Sequence, residues 1–475
     1  MRSWFNRNRP RALATGAIGV VVLGTVASRL PLLGLGEIDW DEGVYWLSMQ
    51  SMRSGHALFT SVYSSQPPAF LLFAEPPWAL LGGGIAAARA VMLAWAVVAV
   101  VAGSVIGWRL GGRLAAVGAA ATLAVDPVML HQSVVLQADG PATSLGVVAV
   151  ALAAVAITIR SRRWSTVAAA LAGAALAAGF LTKLLDIAVV LPLLAVVAGH
   201  GEWRRLLIAG LAGGLMAAAA ILLPIHDAWT ATWSEAVGLH LDTQSATSGI
   251  SVATALTARW PLAVLAAVGA VVGWRRHPRL VITGVAWFGG SVAAMAVTHP
   301  LWPHHAVSTS PAYALMCAAG ISSVFDWARR AVPRHSMMAA STTATALSVA
   351  AALFLWSGLR DLQPVTDFSG LADALRAHTS PSAQLVGDDQ FAQALADRAA
   401  PPRYVDTSNT RLYAEPGAVP GLEAVTDGRR PVCAVLFSSG RLAHLPGFTA
   451  WVTEHYSVRV SLGNARDLYI APGCS

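Results

Sequence analysis

Charged residues are scarce in this sequence. Only 12% of its 475 residues are Asp, Glu, Lys or Arg, about half the share of an ordinary soluble domain. Hydrophobic residues make up 55% of the chain, and the mean hydropathy is +0.57. These values exclude a soluble globular protein. The net charge of +7 comes from arginine. In a membrane protein the positions of arginine residues report topology, so we predict no nucleic-acid partner.

Cysteine and lysine are also scarce. The three cysteines, Cys317, Cys433 and Cys474, are too widely spaced to form a metal-binding motif. Cys433 and Cys474 share the C-terminal segment, where they form either a disulfide or two buried thiols. Lys183 is the only lysine, and it interrupts the apolar stretch "FLTKLLDIAV". This position predicts either a phosphate-binding residue or an ion pair with Asp186, one helical turn later.

Long apolar runs are abundant. Stretches such as "AAVGAAATLAV" and "LGVVAVALAAVAI" approach the roughly 20 residues that cross a bilayer. We predict eleven transmembrane helices, at 12–33, 86–108, 114–132, 141–159, 165–182, 185–199, 206–224, 258–274, 280–297, 306–323 and 337–357. The first run is long and has few small residues to mark a cleavage site. We therefore expect it to be a retained helix, not a signal peptide.

The distribution of arginine predicts the orientation in the membrane. With a cytoplasmic N-terminus, seventeen arginines fall in predicted inside segments and four lie near predicted outer ends. An odd number of spans then places the C-terminal segment outside. We predict a multi-pass plasma-membrane protein with a transmembrane domain at 1–358 and an extracytoplasmic domain at 359–475.

The segment 359–475 has ordinary polarity. Its stretches "LADALRAH" and "FAQALADR" are typical of helices, and "AQLVGDD", "RYVDTS" and "VCAVLF" are typical of strands. Such alternation predicts a small α/β domain with a mostly parallel sheet. Its length of about 117 residues is enough for one core.

Ionisable residues collect in or beside the predicted outer segments. They are Asp39, Asp41, Glu42, Asp126, Asp139, Lys183, Asp186, His226, Asp227, His240, Asp242, His299, His304 and His305. Charges at membrane depth are costly and therefore mark functional candidates. For each residue taken alone, solvation of a helix end is the alternative explanation.

Four short motifs occur in a consistent order. An acidic pair at 41–42 follows the first predicted helix, and a Pro-Pro element at 67–68 lies in "SSQPPAF" of the same loop. Asp139 follows the third predicted helix in "QADGPA", and Lys183 ends "FLTK". In this order and topology, residues 12 to about 357 resemble the GT-C glycosyltransferases of the protein O-mannosyltransferase and aminoarabinose-transferase type.

This resemblance implies roles for individual residues. Asp41 would be the general base, Glu42 and Asp139 would position acceptor or sugar hydroxyls, and Lys183 would steady the departing phosphate. In the family a lysine commonly precedes the Pro-Pro element, whereas this chain has Gln66. Phosphate recognition would therefore depend more on Lys183.

The implied donor is a monophosphate, so no cofactor is required. His304 and His305, together with His299, nevertheless offer suitable ligand types for a divalent cation. Structural roles or contacts with the acceptor are the alternative for these histidines.

The implied reaction moves a sugar from a polyprenyl-phosphate donor, embedded in membrane lipid, to a hydroxyl on a glycolipid, polysaccharide or protein. The sequence does not identify the sugar. A transporter is one alternative, which predicts charges near the membrane midplane and an internal repeat; the charges here cluster at one end of the helices. A non-catalytic polysaccharide-assembly protein with the same layout is another, and Gln66 favours it slightly.

Overall fold

The computed structural model describes residues 2–238, 249–331, 350–360, 362, 366–408, 411–412, 417–426, 432–472 and 474. The helices before the C-terminal region are α1 (Arg2–Arg29), α2 (Asp41–Arg53), α3 (Ala69–Leu80), α4 (Ile85–Gly111), α5 (Arg113–Val125), α6 (Pro127–Gln132), α7 (Asp139–Thr158), α8 (Arg162–Phe180), α9 (Val190–Val197), α10 (Trp203–Leu222), α11 (Trp229–Trp233), α12 (Val252–Thr257), α13 (Trp260–Gly273), α14 (Pro278–Val297) and α15 (Ser310–Ala331). The C-terminal region adds α16 (Ser369–His378), α17 (Gln390–Leu395), α18 (Ala418–Val425) and α19 (Phe448–His455). Short 3-10 helices cover Leu30–Leu32, Leu184–Val189, Leu223–Ala228, Pro303–Thr309 and Pro402–Tyr404.

Several helices match a membrane in length and composition. Among the residues that the structure describes, five helices are long and apolar enough to cross one: Ala12–Leu32, Ile85–Gly111, Asp139–Thr158, Trp203–Gly238 and Pro278–Val297. Four shorter apolar helices cover Ala69–Leu80, Arg113–Val125, Leu184–Val197 and Trp260–Gly273. The multi-pass helical architecture agrees with the sequence, while the count of eleven spans stays a prediction.

Two predicted spans need separate comment. The span at 114–132 is interrupted, because α5 ends at Val125 and the Asp126 side chain accepts the backbone N–H groups of Val128 and Met129 to begin α6. Such N-capping by aspartate starts a new helix. Most of the predicted span at 337–357 lies outside the described residues. The described residues 350–360 are helical.

Small residues allow the central helices to pack closely. A Cβ atom on Gly173 of α8 would clash with the backbone of Gly210 on α10, and one on Gly213 would clash with Ala170. In membranes, where lipid is as apolar as the side chains, such close backbone approach is a main source of helix association.

The C-terminal region contains one four-stranded sheet, with strands β1 (Gln384–Gly387), β2 (Val432–Phe437), β3 (Val458–Ser461) and β4 (Asp467–Ile470) in the order β1-β2-β4-β3. The predicted strands in "AQLVGDD" and "VCAVLF" are confirmed. Only the β1–β2 pairing is parallel, whereas β2–β4 and β3–β4 are antiparallel. The prediction of a mostly parallel sheet is therefore wrong, because β3 and β4 form a tight hairpin that adds antiparallel pairings.

The predicted strand in "RYVDTS" is also wrong. A 3-10 helix occupies Pro402–Tyr404, and the Asp406 side chain accepts the backbone N–H of Ser408 at 2.7 Å. Proline has no N–H to donate to a sheet, and a side chain that bonds its own backbone competes with strand pairing.

Strands β1, β2 and β4 carry buried side chains on both faces of the sheet. One face shares a hydrophobic core with α17, which packs against α2 where the rings of Phe391 and Trp46 lie 5.7 Å apart, and the other face packs against α19 through Phe448. A Cβ on Gly43 of α2 would clash with the backbone of Phe391. Because the C-terminal region and the first loop share one hydrophobic core, they form walls that are fixed relative to each other.

The two C-terminal cysteines, Cys433 and Cys474, are joined in a disulfide. Cys433 lies on β2, and the bond fastens the end of the chain to the sheet. Cys317 is buried and free.

Candidate functional site

A cavity of about 610 Å³ lies where several parts of the chain meet. These parts are the start of α2, the loop at 65–67, the turn after α8, residues 236–237, the end of α14 with the segment that follows it, and the C-terminal region. Its polar lining consists of Asp39, Asp41, Ser65, Gln66, Lys183, Thr298, His299, His304, His305, Asp406, Ser408 and Arg441. Five of the seven residues predicted for the site line the cavity, and the other two, Glu42 and Asp139, lie behind its wall.

Asp41 is the first residue of α2. Its N–H donates to Asp39 Oδ1 at 3.0 Å, and Gln137 Nε2 donates to Asp41 Oδ2 at 3.4 Å. Desolvation in the cavity, with a smaller contribution from the charge of Asp39, raises the pKa of Asp41 to about 8, although Lys183 opposes this. A carboxyl group with a pKa near the operating pH can act as a general base.

Glu42 supports Asp41 from behind, not from within the cavity as the sequence implied. Its carboxylate accepts two hydrogen bonds from Arg89, at 2.6 and 2.8 Å, and both side chains are fully buried. It also accepts the backbone N–H groups of Ile38 and Leu136, each at 3.1 Å. This pair therefore joins the start of α2 to α4 and to the chain just before α7. Such a satisfied buried network fixes one geometry.

Lys183 pairs with Asp139, not with Asp186. Its Nζ lies 3.2 Å from Asp139 Oδ2. The i,i+3 pair with Asp186 would need a helical backbone, but Lys183 is extended, with φ −153° and ψ 126°. Asp139 is only 3% exposed, and its Oδ1 has no hydrogen-bond partner among the described residues. Lys183 and Asp139 thus form a pair with unused hydrogen-bonding capacity at the cavity wall.

His304 and His305 complete this side of the cavity. His304 Nε2 lies 4.0 Å from Asp139 Oδ2, and the two imidazole rings meet edge to face with centroids 4.6 Å apart. Burial lowers the pKa of His304 to about 4, despite the opposing charge of Asp139. His304 is therefore neutral at pH 7 and can donate one N–H.

Three of these side chains could hold a metal ion. Ligand atoms of Asp139, His304 and His305 lie within 4.8 Å of one another. One oxygen and two nitrogens suit zinc and related ions. The sequence suggested His299 as the third ligand beside His304 and His305, whereas the structure places Asp139 there. A metal ion would have to share the Asp139 carboxylate with Lys183, which already supplies a positive charge there.

The loop around Gln66 forms another part of the cavity. Gln66 is 6% exposed, and its backbone N–H donates to Ser64 Oγ at 3.2 Å. The N–H of Ser64 donates to Glu235 at 3.1 Å. Further along, the N–H of Ala69 donates to the carbonyl of Leu181 at 2.9 Å. The last bond ties the Pro-Pro element to the turn that carries Lys183.

One wall of the cavity is apolar and reaches the outer surface of the helices. It includes Leu184, Leu185, Ile187, Ala294 and Val297. Ile187 is 51% exposed and Val297 77% exposed. Both residues belong to helices that match a membrane in composition. Exposed apolar helix surface therefore borders the cavity beside Lys183.

The C-terminal region contributes Asp406, Ser408 and Arg441 to another wall of the cavity. Sequence reasoning missed all three. Asp406 and Ser408 lie in "RYVDTS", whose pattern suggested a strand, and Arg441 follows β2 in a loop. No local pattern indicates these residues, because the packing of the C-terminal region against α2, through α17, brings them to the cavity.

Other acidic and histidine candidates lie elsewhere. His226 and Asp227 form an exposed pair at 3.0 Å and do not line the cavity. Asp126 forms a buried ion pair with Arg259. His240 and Asp242 lie outside the described residues.

The structure is similar to those of two membrane proteins. ArnT from Cupriavidus metallidurans in the apo state superposes with a TM-score of 0.68 at 14% identity, over 96% of this chain and 98% of ArnT. The form of ArnT bound to undecaprenyl phosphate gives 0.62 at 15% identity, over the same shares. The archaeal oligosaccharyltransferase AglB from Archaeoglobus fulgidus, in complex with an inhibitory peptide and a dolichol-phosphate, gives 0.61 at 12% identity, over 94% of this chain and 71% of AglB.

No protein-family model and no curated protein matches the sequence. The likeness is therefore one of fold, carried by the arrangement of helices and not by sequence identity. This chain is an α-helical, multi-pass membrane protein with a small C-terminal sheet, and it shares the fold of ArnT and AglB, in agreement with the fold that its sequence resemblance implied.

Proposed function

We propose that this protein is a membrane glycosyltransferase that moves a sugar from a polyprenyl-phosphate donor to a hydroxyl acceptor. The observation that carries this function is the placement of Asp41 and Lys183 in one cavity that opens beside exposed apolar helix surface. A base, a phosphate-binding cation and a path for a lipid tail are the three features that such a transfer needs. The lipid phosphates bound by ArnT and AglB support a donor of this class.

Asp41 acts on the acceptor. Its carboxylate takes the proton of the acceptor hydroxyl as that oxygen forms a bond to the anomeric carbon of the sugar. The bond between the anomeric carbon and the phosphate oxygen breaks, and polyprenyl phosphate leaves with the electron pair. Asp41 then returns its proton to solvent. A glycolipid, a polysaccharide or a protein hydroxyl can each serve as the acceptor in this scheme.

Lys183 acts on the donor. Its ammonium lies at the end of the cavity next to Leu184 and Ile187, where the phosphate of a membrane-embedded lipid arrives. Negative charge grows on the phosphate as the glycosidic bond breaks, so a fixed cation stabilises the transition state. Neutral His304 adds an N–H donor. Lys183 makes a metal cofactor unnecessary, and a divalent ion at Asp139, His304 and His305 is the alternative source of charge.

We place the cavity and the C-terminal region on the outer face of the plasma membrane. The arginine distribution supports this orientation, as does the disulfide between Cys433 and Cys474, since disulfides persist in oxidising compartments. A cysteine introduced at exposed Ser461 should react with a membrane-impermeant reagent on intact cells, and one at exposed Ser161 should not. The reverse labelling pattern would contradict this orientation.

Asp41→Asn tests the function directly. Asparagine keeps the shape of the side chain but cannot accept the proton, and loss of a general base typically lowers the rate 10²–10⁴-fold. Purified protein is incubated with labelled polyprenyl-phosphate sugars and a membrane extract, and the products are analysed. We expect Asp41→Asn to bind undecaprenyl phosphate like the wild type and to transfer almost nothing.

Asp39→Asn is the matched control, since it removes a neighbouring carboxylate from the same cavity. We expect a much smaller loss of rate for this variant. Transfer by Asp41→Asn at the wild-type rate would refute the assignment of Asp41 as the general base. Movement of the donor across the membrane without any glycosylated product would favour a transporter instead.

The base also predicts a dependence on pH. With its pKa raised to about 8, Asp41 is mostly protonated at pH 7, so the transfer rate should rise as the pH increases through about 8. Asp41→Asn should lose this rise, while Asp39→Asn should keep it.

A further inference from the structure

The sequence stretch "GDDQFAQALADRAAPPRYVDTS" has no role in the reaction described above. It runs from the end of β1 through α17 to the wall of the cavity. Its final segment carries Asp406 and Ser408, and its first acidic residue, Asp388, organises the loop that carries Arg441. Both ends of the stretch therefore help to position residues that line the same cavity.

Asp388 fixes the position of Arg441. Its carboxylate is fully buried and accepts backbone N–H groups of the loop 438–442 at 2.6, 3.0 and 3.2 Å. Arg441 Nη2 donates to the Asp388 carbonyl at 2.5 Å, and its guanidinium lies 3.8 Å from the ring centroid of Trp40. The buried Arg441 Nε has no hydrogen-bond partner within the described ranges. Arg441 is thus held at the cavity with a donor to spare.

A second network fixes Asp406. Buried Gln390 donates to Thr407 Oγ1, which in turn donates to the Gly387 carbonyl at 2.8 Å. The Arg411 guanidinium donates to the Asp406 carbonyl at 2.7 Å. Asp406 is only 4% exposed, yet it lines the cavity. These bonds fix the backbone at Asp406, and its carboxylate accepts the Ser408 N–H at 2.7 Å. A carboxylate positioned in this way can accept a hydrogen bond from a ligand with little further loss of side-chain freedom.

These residues lie on the acceptor side of Asp41. Lys183 and Asp406 are both close enough to Asp41 to shift its pKa, the first downwards and the second upwards. Lys183 borders the apolar wall, whereas Asp406 belongs to the C-terminal wall. A base that activates the attacking hydroxyl lies across the sugar from the leaving group when the displacement is direct. If the donor phosphate binds at Lys183, the acceptor therefore binds at the C-terminal wall.

We propose, on the basis of the glycosyl transfer inferred above, that Asp406 and Arg441 bind a hydroxyl-rich, uncharged saccharide end of the acceptor. Asp406 accepts a hydrogen bond from one acceptor hydroxyl, and Arg441 donates to another acceptor oxygen. An anionic group would meet the Asp406 carboxylate, and any negative charge on Asp39 or Asp41 would add to this repulsion, while Arg441 already donates from Nη2 to the backbone carbonyl of Asp388. The C-terminal region is therefore a specificity element of the site.

Asp406→Asn tests this role, because it keeps the side-chain shape and the bond to Ser408 while removing the charge. Transfer is measured against a dilution series of membrane extract, and binding of undecaprenyl phosphate is measured separately. Losing a charge-assisted hydrogen bond should raise the half-saturating amount of extract about tenfold and leave undecaprenyl phosphate binding unchanged. Asp373→Asn, at an exposed carboxylate on α16, is the matched control and should match the wild type in both assays.

The charge preference is tested with wild-type protein and two soluble competitors of equal length, a neutral oligosaccharide and an oligosaccharide of uronic acids. The neutral competitor should inhibit transfer to the extract more strongly. Equal or stronger inhibition by the acidic competitor overturns the charge preference, and unchanged extract dependence in Asp406→Asn overturns the role of Asp406.

Arg441→Gln should raise the half-saturating amount of extract as well. Normal extract dependence in a folded Arg441→Gln variant removes Arg441 from the subsite. Absence of transfer by the wild type from every donor would instead refute the glycosyl transfer itself, and the acceptor subsite with it.

Discussion

Two acidic–basic pairs stand close to Asp41, and they differ in how completely they are satisfied. Glu42 and Arg89 are fully buried, and both carboxylate oxygens of Glu42 accept from the guanidinium and from backbone N–H groups. Lys183 lines the cavity and is 15% exposed, and its partner Asp139 lies directly behind the wall with an Oδ1 atom that has no partner in the described part of the chain. The first pair has no hydrogen-bonding capacity left for a ligand, and the second has.

This difference separates a scaffold from a binding site. A fully satisfied buried pair holds its surroundings in one geometry, and removing one partner strands a charge in the interior. A partly satisfied pair at a cavity can exchange its contacts for those of a ligand, because a ligand restores hydrogen bonds that are missing without it. Although "WDE" places Asp41 and Glu42 side by side in sequence, the two residues therefore have different roles.

Arg89→Leu should have the largest effect on stability. It would leave Glu42 buried without its cation, and breaking a buried pair in this way costs about 3–5 kcal/mol. We expect a clearly lower unfolding temperature in detergent, measured by intrinsic tryptophan fluorescence, together with loss of activity because the start of α2 no longer holds Asp41.

The double variant Arg89→Leu with Glu42→Gln is the control for that measurement. Glutamine stays neutral and can still accept a backbone N–H, so the double variant should unfold at a higher temperature than Arg89→Leu alone. An Arg89→Leu protein as stable as the wild type would show that the pair does not support the fold.

Lys183→Ala should affect ligand binding more than stability. Removing the ammonium deletes a charge-assisted contact of about 1.5–3 kcal/mol, so the affinity for undecaprenyl phosphate should fall roughly ten- to hundredfold. Lys183→Arg should recover part of this loss, since the charge persists while its geometry changes. Binding is measured by titration with undecaprenyl phosphate, and the unfolding temperature is recorded for the same samples.

The comparison between the two pairs would fail if Lys183→Ala bound undecaprenyl phosphate normally and unfolded as early as Arg89→Leu. In that case Asp139 and Lys183 would be a second structural pair. Asp186→Ala adds a further check, because Asp186 makes no ion pair with Lys183 in the structure and its substitution should leave undecaprenyl phosphate binding unchanged.

The helical part of the fold was accessible from sequence because apolar runs report burial in lipid directly. The helices of the C-terminal region at "LADALRAH" and "FAQALADR" were also predicted correctly. Errors arose where a single aspartate or proline changes the local backbone within an apolar or strand-like stretch. Asp126 divides one predicted span by capping a new helix, and "RYVDTS" is irregular because Pro402 and Asp406 favour turns over strand pairing.

The sequence by itself determined the membrane class, the order of the motifs and five residues that line the cavity. Composition, hydropathy and short motifs are local properties, so a single chain displays them without any knowledge of its folding. Only the tertiary structure decided that Lys183 pairs with Asp139, that Glu42 is held behind the site by Arg89, and that the C-terminal region closes the cavity with Asp406 and Arg441. Each of these contacts joins residues more than forty positions apart, and their pairing depends on how helices and sheet pack, which local patterns do not encode.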